Sequence, residues 1–384
     1  MRYLETCTYL HSMKNIILIS TMFFLFSCGK ETLPGNEDET TDELLFDITT
    51  VTVKSGKQYN FFFTRYGNGW TGGDATYSVQ LPDGRHLWSF GDTFLDTVYA
   101  DRSRPSSPLI RNTFMVQDGL TFNSFQTIVG GTIDDPIAVV NTPDPDDEWY
   151  WPGDATVSGD VLYMYMMYFV STGAGGGFGF HYVRTDLVKF SLPDITEISR
   201  ETVWDLDDDV LFGGAIMEDG DYLYTYSAES TAFVKYCQVA RVPLDDIESP
   251  YEFYNAVTGN WQSTFPGADG RLKKNPFGEV DVSAQFSVFY EAGKYRLVTQ
   301  EGLLGKKIYS YESDNPTGPW GSRKIIYTTN EGADVWTYNA YMHNDIKNAA
   351  GYMLLSYNLN AMNFLDLFSN ADTYRPKFVW VKYN

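Results

Sequence analysis

The chain has 384 residues, of which 43% are hydrophobic and 16% aromatic, and a formal net charge of −22. That length and apolar content fit a folded chain with a large core, and they exclude a disordered one. So acidic a surface excludes nucleic-acid binding by phosphate neutralisation. It leaves neutral or basic ligands, or plain solubility, as its use.

Near the N-terminus, Ile16 to Phe26 is an apolar run preceded by Lys14. It is too short to span a membrane and fits the apolar region of a secretory signal. It ends in Leu25-Phe26-Ser27-Cys28-Gly29, which resembles the lipobox of bacterial lipoproteins. The resemblance implies lipidation at Cys28 and a place in the bacterial cell envelope, at the outer membrane or cell surface, while Met13-Lys14-Asn15 reads as a normal n-region, so translation is expected from Met13. Contact with the membrane is then expected through the lipid anchor only. Residues 29–45, rich in Glu, Asp, Thr and Gly, read as a flexible tether, and residues 46–384 as one domain. With Cys7 and Cys28 in the export segment, Cys237 is alone in the folded body, so an internal disulfide is not expected there.

After the tether, Tyr59 to Thr64 reads as a strand. A pattern then recurs: a small or polar opening, a short strand, a turn, and an aromatic-rich return strand. The openings are Gly73-Asp74-Ala75-Thr76, Gly153-Asp154-Ala155-Thr156, Gly213-Gly214-Ala215-Ile216, Val282-Ser283-Ala284-Gln285 and Tyr338-Asn339-Ala340-Tyr341. The return strands are His86–Phe90, Leu162–Phe169, Tyr222–Tyr226, Tyr295–Thr299 and Tyr352–Tyr357. The units lie about 50 to 70 residues apart, a spacing suited to propeller blades. Helical periodicity is nearly missing, and no helical runs alternate with strands, so a parallel α/β sheet is excluded. The expectation is all-β: a five-bladed β-propeller, with Phe378–Lys382 in its last blade. The early strand at Tyr59–Thr64 would complete that blade and close the ring.

In a propeller the inner strands open on one face, and each first hairpin returns the chain to it. The first hairpin turns at Pro82-Asp83-Gly84, where Pro presets φ and Gly accepts φ > 0. Its open ends carry Asp74 and Asp92, each preceded by a glycine. Two carboxylates side by side split their pKa values, so that one donates a proton and the other acts as a base. That is what glycoside hydrolysis needs. The alternative is that each aspartate satisfies turn amides, and the recurrence of Gly-Asp-Ala-Thr at Asp154 favours a structural role for that tetrapeptide. The same face collects Asp154, Glu229, Glu301, Asn339 and Asn358. Trp70, Trp151 and Trp336 precede openings, and their flat faces either stack on sugar rings or pack the rim. His343, on the last inner strand, either reaches a ligand or is a satisfied core histidine.

Other motifs lead to less. The glycines of 175–179 form no phosphate loop, since no Lys-Ser/Thr follows, but they suit a lid beside His181. Asp205 to Asp209 resembles the start of an EF-hand loop, but Val210 stands in place of the required Gly and Ile216 in place of the terminal Glu. No zinc constellation is present. No cofactor is therefore expected, with a structural calcium ion left open. Four histidines leave a Ser-His-Asp triad open, though no Gly-x-Ser-x-Gly elbow marks a nucleophile.

Gly91-Asp92-Thr93-Phe94, followed by Arg111-Asn112-Thr113 and preceded by Asp74 on an inner strand, resembles the five-bladed domains of unknown function of bacterial lipoproteins. That group is similar to the endo-D-arabinan hydrolases of glycoside hydrolase family 183. The resemblance implies an acid/base pair at Asp74 and Asp92, with Arg111 and Asn112 orienting the substrate and Trp70 or Trp151 stacking on it. The chain also resembles arabinanase-type propellers, whose carboxylates come from three blades. That match implies Asp74, Asp154 and Glu229 instead. Arg-Asn-Thr, where such proteins tend to have Arg-Asn-Ser, is a departure. The expected function is hydrolysis of a furanoside-containing, arabinan-like polysaccharide or oligosaccharide. The alternative is a lipoprotein that binds glycan without cleaving it.

Overall fold

Four-stranded antiparallel sheets follow one another along the chain, each paired in sequence order from an inner strand outward. The structure is a computed structural model and describes residues 42–48, 50–105, 109–123, 125–174, 179–302 and 304–384. The export segment, Cys28 and residues 175–178 of the glycine-rich loop lie outside the described residues.

Blade 1 consists of Tyr77–Gln80, His86–Phe90, Thr113–Gln117 and Phe125–Ile128. Blade 2 consists of Glu148–Ser158, Val161–Ser171, Phe180–Ser191 and Thr196–Trp204. Blade 3 is built from Val210–Asp219, Tyr222–Ser230, Lys235–Pro243 and Glu252–Asn255. Blade 4 is built from Phe286–Glu291, Lys294–Gln300, Lys307–Ser313 and Lys324–Thr328. Blade 5 joins Val335–Lys347, Met353–Ala361 and Pro376–Tyr383 to the N-terminal Val51–Ser55 and Leu44–Ile48. The result is a five-bladed β-propeller. Residues Glu39–Asn384 form one compact unit.

The ring closes by pairing the two ends of the chain: Thr52 faces Lys382, and Lys54 faces Trp380. Closure removes the open edge that blade 5 would otherwise present. The closing strand is not the expected one. Tyr59–Thr64 does not form a strand; Lys57–Phe62 is a short α-helix. Tyr59, Phe62 and Phe63 are buried and Phe61 is exposed, which is the i, i+3, i+4 pattern of one helix face. That face packs on Trp88, Phe378 and Trp380 of blades 1 and 5. A six-residue aromatic run carries both periods, and tertiary packing decides between them.

The first hairpin forms where expected, and it pairs Tyr77 opposite Ser89 and Gln80 opposite His86. Gly84 takes φ +87°, which an L side chain rarely adopts. Inner strands bulge where they open. Register shifts fall between Pro152 and Ala155, between Leu211 and Ala215, and between Tyr338 and Tyr341. Ala75, Gly213 and Asn339 take positive φ at these openings. Bulges re-aim side chains, and in blades 2, 3 and 5 they fall at the opening residues.

Candidate active site

A short strand, Trp70–Gly73, precedes blade 1 and pairs with Thr93–Leu95, with Gly73 opposite Thr93. The next ladder begins at Tyr77 opposite Ser89. Asp74 and Asp92 lie in the gap between these ladders, on facing segments. The amide of Gly91 donates to the Asp74 carbonyl at 2.9 Å. A Cβ at Gly91 would lie 2.8 Å from Asp74 Oδ1 and 3.3 Å from Trp151 Cδ1. Glycine at 91 is therefore what lets the Asp74 carboxylate and the indole approach the backbone beside Asp92.

The two carboxyls have different surroundings. Tyr338 Oη donates to Asp74 Oδ2 at 2.8 Å. Burial, with the charge of Asp92 next, pushes the Asp74 carboxyl up to about 7, while hydrogen bonds from Tyr338 and Tyr374 pull the other way. Asp92 Oδ1 accepts from Trp151 Nε1 at 2.9 Å, and Arg111 Nη1 reaches both its oxygens at 3.3 Å. Burial raises the Asp92 carboxyl too, but the Arg111 charge and the Trp151 N–H favour its ionised form. Its side chain keeps 18% exposure, so the pair has contact with solvent. One carboxyl pushed up to about 7 thus sits beside one that burial also raises but that a guanidinium and an indole N–H oppose. Neither side chain is taken up by the amides of neighbouring turns.

The tyrosines were not identified from the sequence. Tyr338 occupies, in blade 5, the place of Gly73 in the pattern of openings, so repeat alignment carried a signal for it. Tyr374 comes from a single 3₁₀ turn, Ala371–Tyr374, and nothing in the sequence marks it. Tyr338→Phe tests the assignment of Asp74. Removing a donor to the carboxylate disfavours its charged form, so the group that titrates near 7 should move to higher pH. An alkaline limb of the pH–rate profile that stays in place would show that another group carries it.

Several expected residues have other roles. Trp70 is fully buried against Phe63 and Phe90 and packs the rim, so it cannot stack on a sugar. Asn112 is fully buried as well. It donates to the carbonyls of Val140 and Tyr150 and accepts from the Val140 amide, which pins blade 1 to blade 2 and leaves nothing for substrate. His343 is a core histidine, bonded to Ser78 Oγ at 2.7 Å and Ser356 Oγ at 2.9 Å and set against Trp88. Burial pushes its imidazole down to about 3, so it is neutral. Ser78 and Ser356 are buried with it, so this Ser–His contact is core hydrogen bonding.

In the three-blade set, burial pushes the Asp154 carboxyl up to about 7, as it does Asp74, but backbone amides hold it. Asp154 is buried, and its oxygens accept from the amides of Ala155 and Ile216 and from Tyr341 Oη, at 2.9, 2.9 and 2.8 Å. It ties the opening of blade 2 to blades 3 and 5. Asp154→Asn leaves one of these donors facing an amide N–H₂. The expected cost is about 1–3 kcal/mol of stability, read from denaturant unfolding, with kcat within a few-fold of the parent. Glu229 accepts from Arg271 Nε at 2.7 Å and Gln238 Nε2 at 2.7 Å. Those bonds, Arg271's first, hold its carboxyl below the ordinary range.

Trp151 remains half-buried, its ring against Phe169 and Phe180 and its N–H on Asp92. Arg111 lies 4.1 Å over the Trp149 ring and positions Asp92. On the same face, Trp336 and Asn339 are half-buried, and Glu301 accepts from Tyr309 Oη at 3.3 Å in blade 4. Among the described residues, Asp207, Asp208 and Asp209 are the one acidic group tight enough to suggest a cation.

A protein from Bacteroides ovatus ATCC 8483, named as a putative hydrolase, is similar in structure. It has 25% identity and a TM-score of 0.77 over 92% of this chain and 97% of its own. A GH43_1 enzyme from Xanthomonas citri complexed with xylose shares 13% identity, with a TM-score of 0.47 over 82% of this chain and 88% of its own. An alpha-L-arabinanase mutant from Cellvibrio cellulosa shares 11% identity, with a TM-score of 0.47 over 83% and 96%. These last two are likenesses of outline. The curated proteins contain no match to the chain. Residues 56–383 match the family described as Domain of unknown function (DUF5005), and the chain belongs to that family.

Proposed function

We propose that the protein is a glycoside hydrolase that cleaves a furanoside-containing, arabinan-like polysaccharide, with Asp74 as general acid and Asp92 as base or nucleophile. One observation carries this reading: facing carboxyls at the mouth of blade 1 have unequal surroundings, Asp74 raised to about 7 and Asp92 held by Arg111 and Trp151. As the C1–O bond breaks, the Asp74 proton passes to the leaving oxygen. Asp92 either removes a proton from the water that attacks C1 or bonds C1 itself and is later released by water. Arg111 and Trp151 keep Asp92 oriented and favour its ionised form. The furanoside assignment draws on the resemblance at Gly91-Asp92-Thr93-Phe94 and Arg111-Asn112-Thr113, and a propeller fold alone would not carry it.

The enzyme would act at the cell envelope, held by lipid on Cys28. Cys28→Ala should move the protein from the detergent phase to the aqueous phase when cells are extracted; unchanged partition would overturn the anchor. Among the described residues no helix is long and apolar enough to cross a membrane. Chromatography of products from a panel of purified arabinans, xylans and galactans tests the reaction. Oligosaccharide release from an arabinan is the expected result. Retention of these polysaccharides with no release from any would overturn hydrolysis and leave a glycan-binding protein.

A further inference from the structure

Blades 3 and 4 are joined by more than a loop. The segment after blade 3 contains a bridge between Lys273 and Glu279, and the Lys274 amide donates to the Gly278 carbonyl at 2.8 Å. This small hairpin is fixed to blade 4. The Trp320 amide donates to the Lys273 carbonyl at 2.9 Å, the Asn275 amide to the Trp320 carbonyl at 2.7 Å, and Trp320 is fully buried. A second short strand, Asp281–Val282, pairs with Lys235–Tyr236 at the start of the third strand of blade 3. The hairpin is thus held on both sides. Its tip carries Phe277, which is 86% exposed. An aromatic side chain held out in water on a rigid support gains nothing for the fold.

Beside this tip is an open hollow of about 580 Å³ lined by Tyr236, Lys273, Lys274, Glu279 and Asp281. Lys273 Nζ meets Glu279 Oε1 at 2.9 Å, and Lys274 Nζ meets Asp281 Oδ1 at 3.0 Å. Arg271 Nη1 also meets Glu279 Oε2 at 3.6 Å and Arg323 Nη1 meets Asp281 Oδ2, so both carboxylates of the lining are paired a second time from its border. An anionic ligand would meet carboxylates and a cationic one lysines, all of them already in ion pairs. A neutral sugar chain suits both, because each hydroxyl donates and accepts, and its C–H faces suit an exposed aromatic ring.

The hollow and the Asp74–Asp92 pair share a face of the ring. The inner strand of blade 1 leaves Asp74 and its partner strand returns to Asp92. By the same path, the second strand of blade 3 runs from Tyr222 at the hairpin turn to Ser230, and Lys235 begins the strand that follows. The two sites lie in different blades, so one long chain could contact both while a short one could not.

We infer that the hollow lined by Tyr236, Lys273, Lys274, Glu279 and Asp281, with Phe277 next to its lining residue Gly278, is a second carbohydrate-binding site, which takes a distal stretch of a neutral polysaccharide. The inference rests on the hydrolase reading for the identity of the chain. Phe277 and Lys274 are tested as Phe277→Ala and Lys274→Ala in the full chain. The probe is retardation in native gels containing linear arabinan, xylan, galactan or polygalacturonate. Leu206→Ala, an exposed apolar change elsewhere, is the control. Both variants should bind the retarding neutral polysaccharide at least ~10-fold more weakly than the parent, with the control unchanged, as expected when an anchoring aromatic or charged contact is truncated. Unchanged retardation in both variants overturns the second site while leaving the hydrolase reading to its products. Retardation by polygalacturonate alone, lost in Lys274→Ala, overturns the neutral assignment. A parent chain that no polysaccharide retards overturns the second site, and if it also releases no product from the panel, it overturns the hydrolase reading as well.

Discussion

Asp92→Asn is expected to lower turnover of the cleaved polysaccharide by at least ~100-fold, the scale of general acid–base and nucleophilic contributions, with folding and glycan retention preserved. Asn has nearly the shape of Asp, and its carbonyl oxygen can still accept from Trp151 Nε1, now at 2.9 Å on Oδ1. It cannot take up a proton or bond an anomeric carbon. Loss of the anion leaves Arg111 without its partner, but that side chain is 30% exposed and water replaces the contact at small cost. A second effect follows from the coupling of the pair. The charge on Asp92 helps hold the Asp74 proton, so its removal should lower the pKa of Asp74 and shift the alkaline limb of the residual activity to lower pH. Steady-state kinetics and a melting curve for each protein are sufficient. Turnover within a few-fold of the parent would mean that Asp92 only accepts bonds at a turn, and the acid/base assignment would fall.

What the sequence made legible was whatever repeats locally. The first hairpin could be read because Pro82-Asp83-Gly84 has a turn mechanism and each flanking run is short. From that hairpin alone, Asp74 and Asp92 could be placed face to face. The return strands were visible because aromatic and β-branched residues crowd them at regular spacing. Tyr59–Thr64 reads as a strand because six consecutive residues do not separate a period of 2 from one of 3.6; burial of Tyr59, Phe62 and Phe63 against Trp88 and Phe378 favours the helix Lys57–Phe62 instead. Closure by an N-terminal strand was foreseeable, but which strand was not, since that depends on pairing across more than 300 residues.

The site residues divide along the same line. An aspartate that catalyses and one that caps backbone amides look identical in sequence, and Gly-Asp-Ala-Thr occurs at both Asp74 and Asp154. Only the partners separate them: a tyrosine hydroxyl and a second carboxylate for Asp74, two backbone amides and Tyr341 for Asp154. Trp70 and Trp151 precede openings in the same way, yet one is sealed in the rim and the other points its N–H at Asp92. Asn112 and His343 lie on or beside strands at the right height, but a side chain on a central strand of a closed ring has little access to solvent. These distinctions come from packing between blades distant in sequence, which a single chain read in order does not reveal.

Asp74→Asn should separate the acid from the base. Asp74 holds its proton up to about 7. A general acid is active while protonated, so kcat/KM of the parent should fall as pH rises through that value, and the limb should be absent in Asp74→Asn. Turnover of polysaccharide should drop by at least ~100-fold, because a sugar alkoxide leaves poorly without a proton. With an aryl furanoside whose phenol leaves readily as the anion, the same variant should lose far less, since that step needs little acid help. Asp92→Asn should show no such rescue, because its role at C1 is required whatever the leaving group. Asn at 74 can still accept from Tyr338 Oη, which lies 2.8 Å from Oδ2 in the parent, so a loss by unfolding is not expected and a melting curve would detect one. An alkaline limb near 7 that survives in Asp74→Asn would assign the proton donor to another group. Equal loss on polysaccharide and aryl furanoside would make Asp74 the residue that acts at C1 and exchange the roles of the two aspartates.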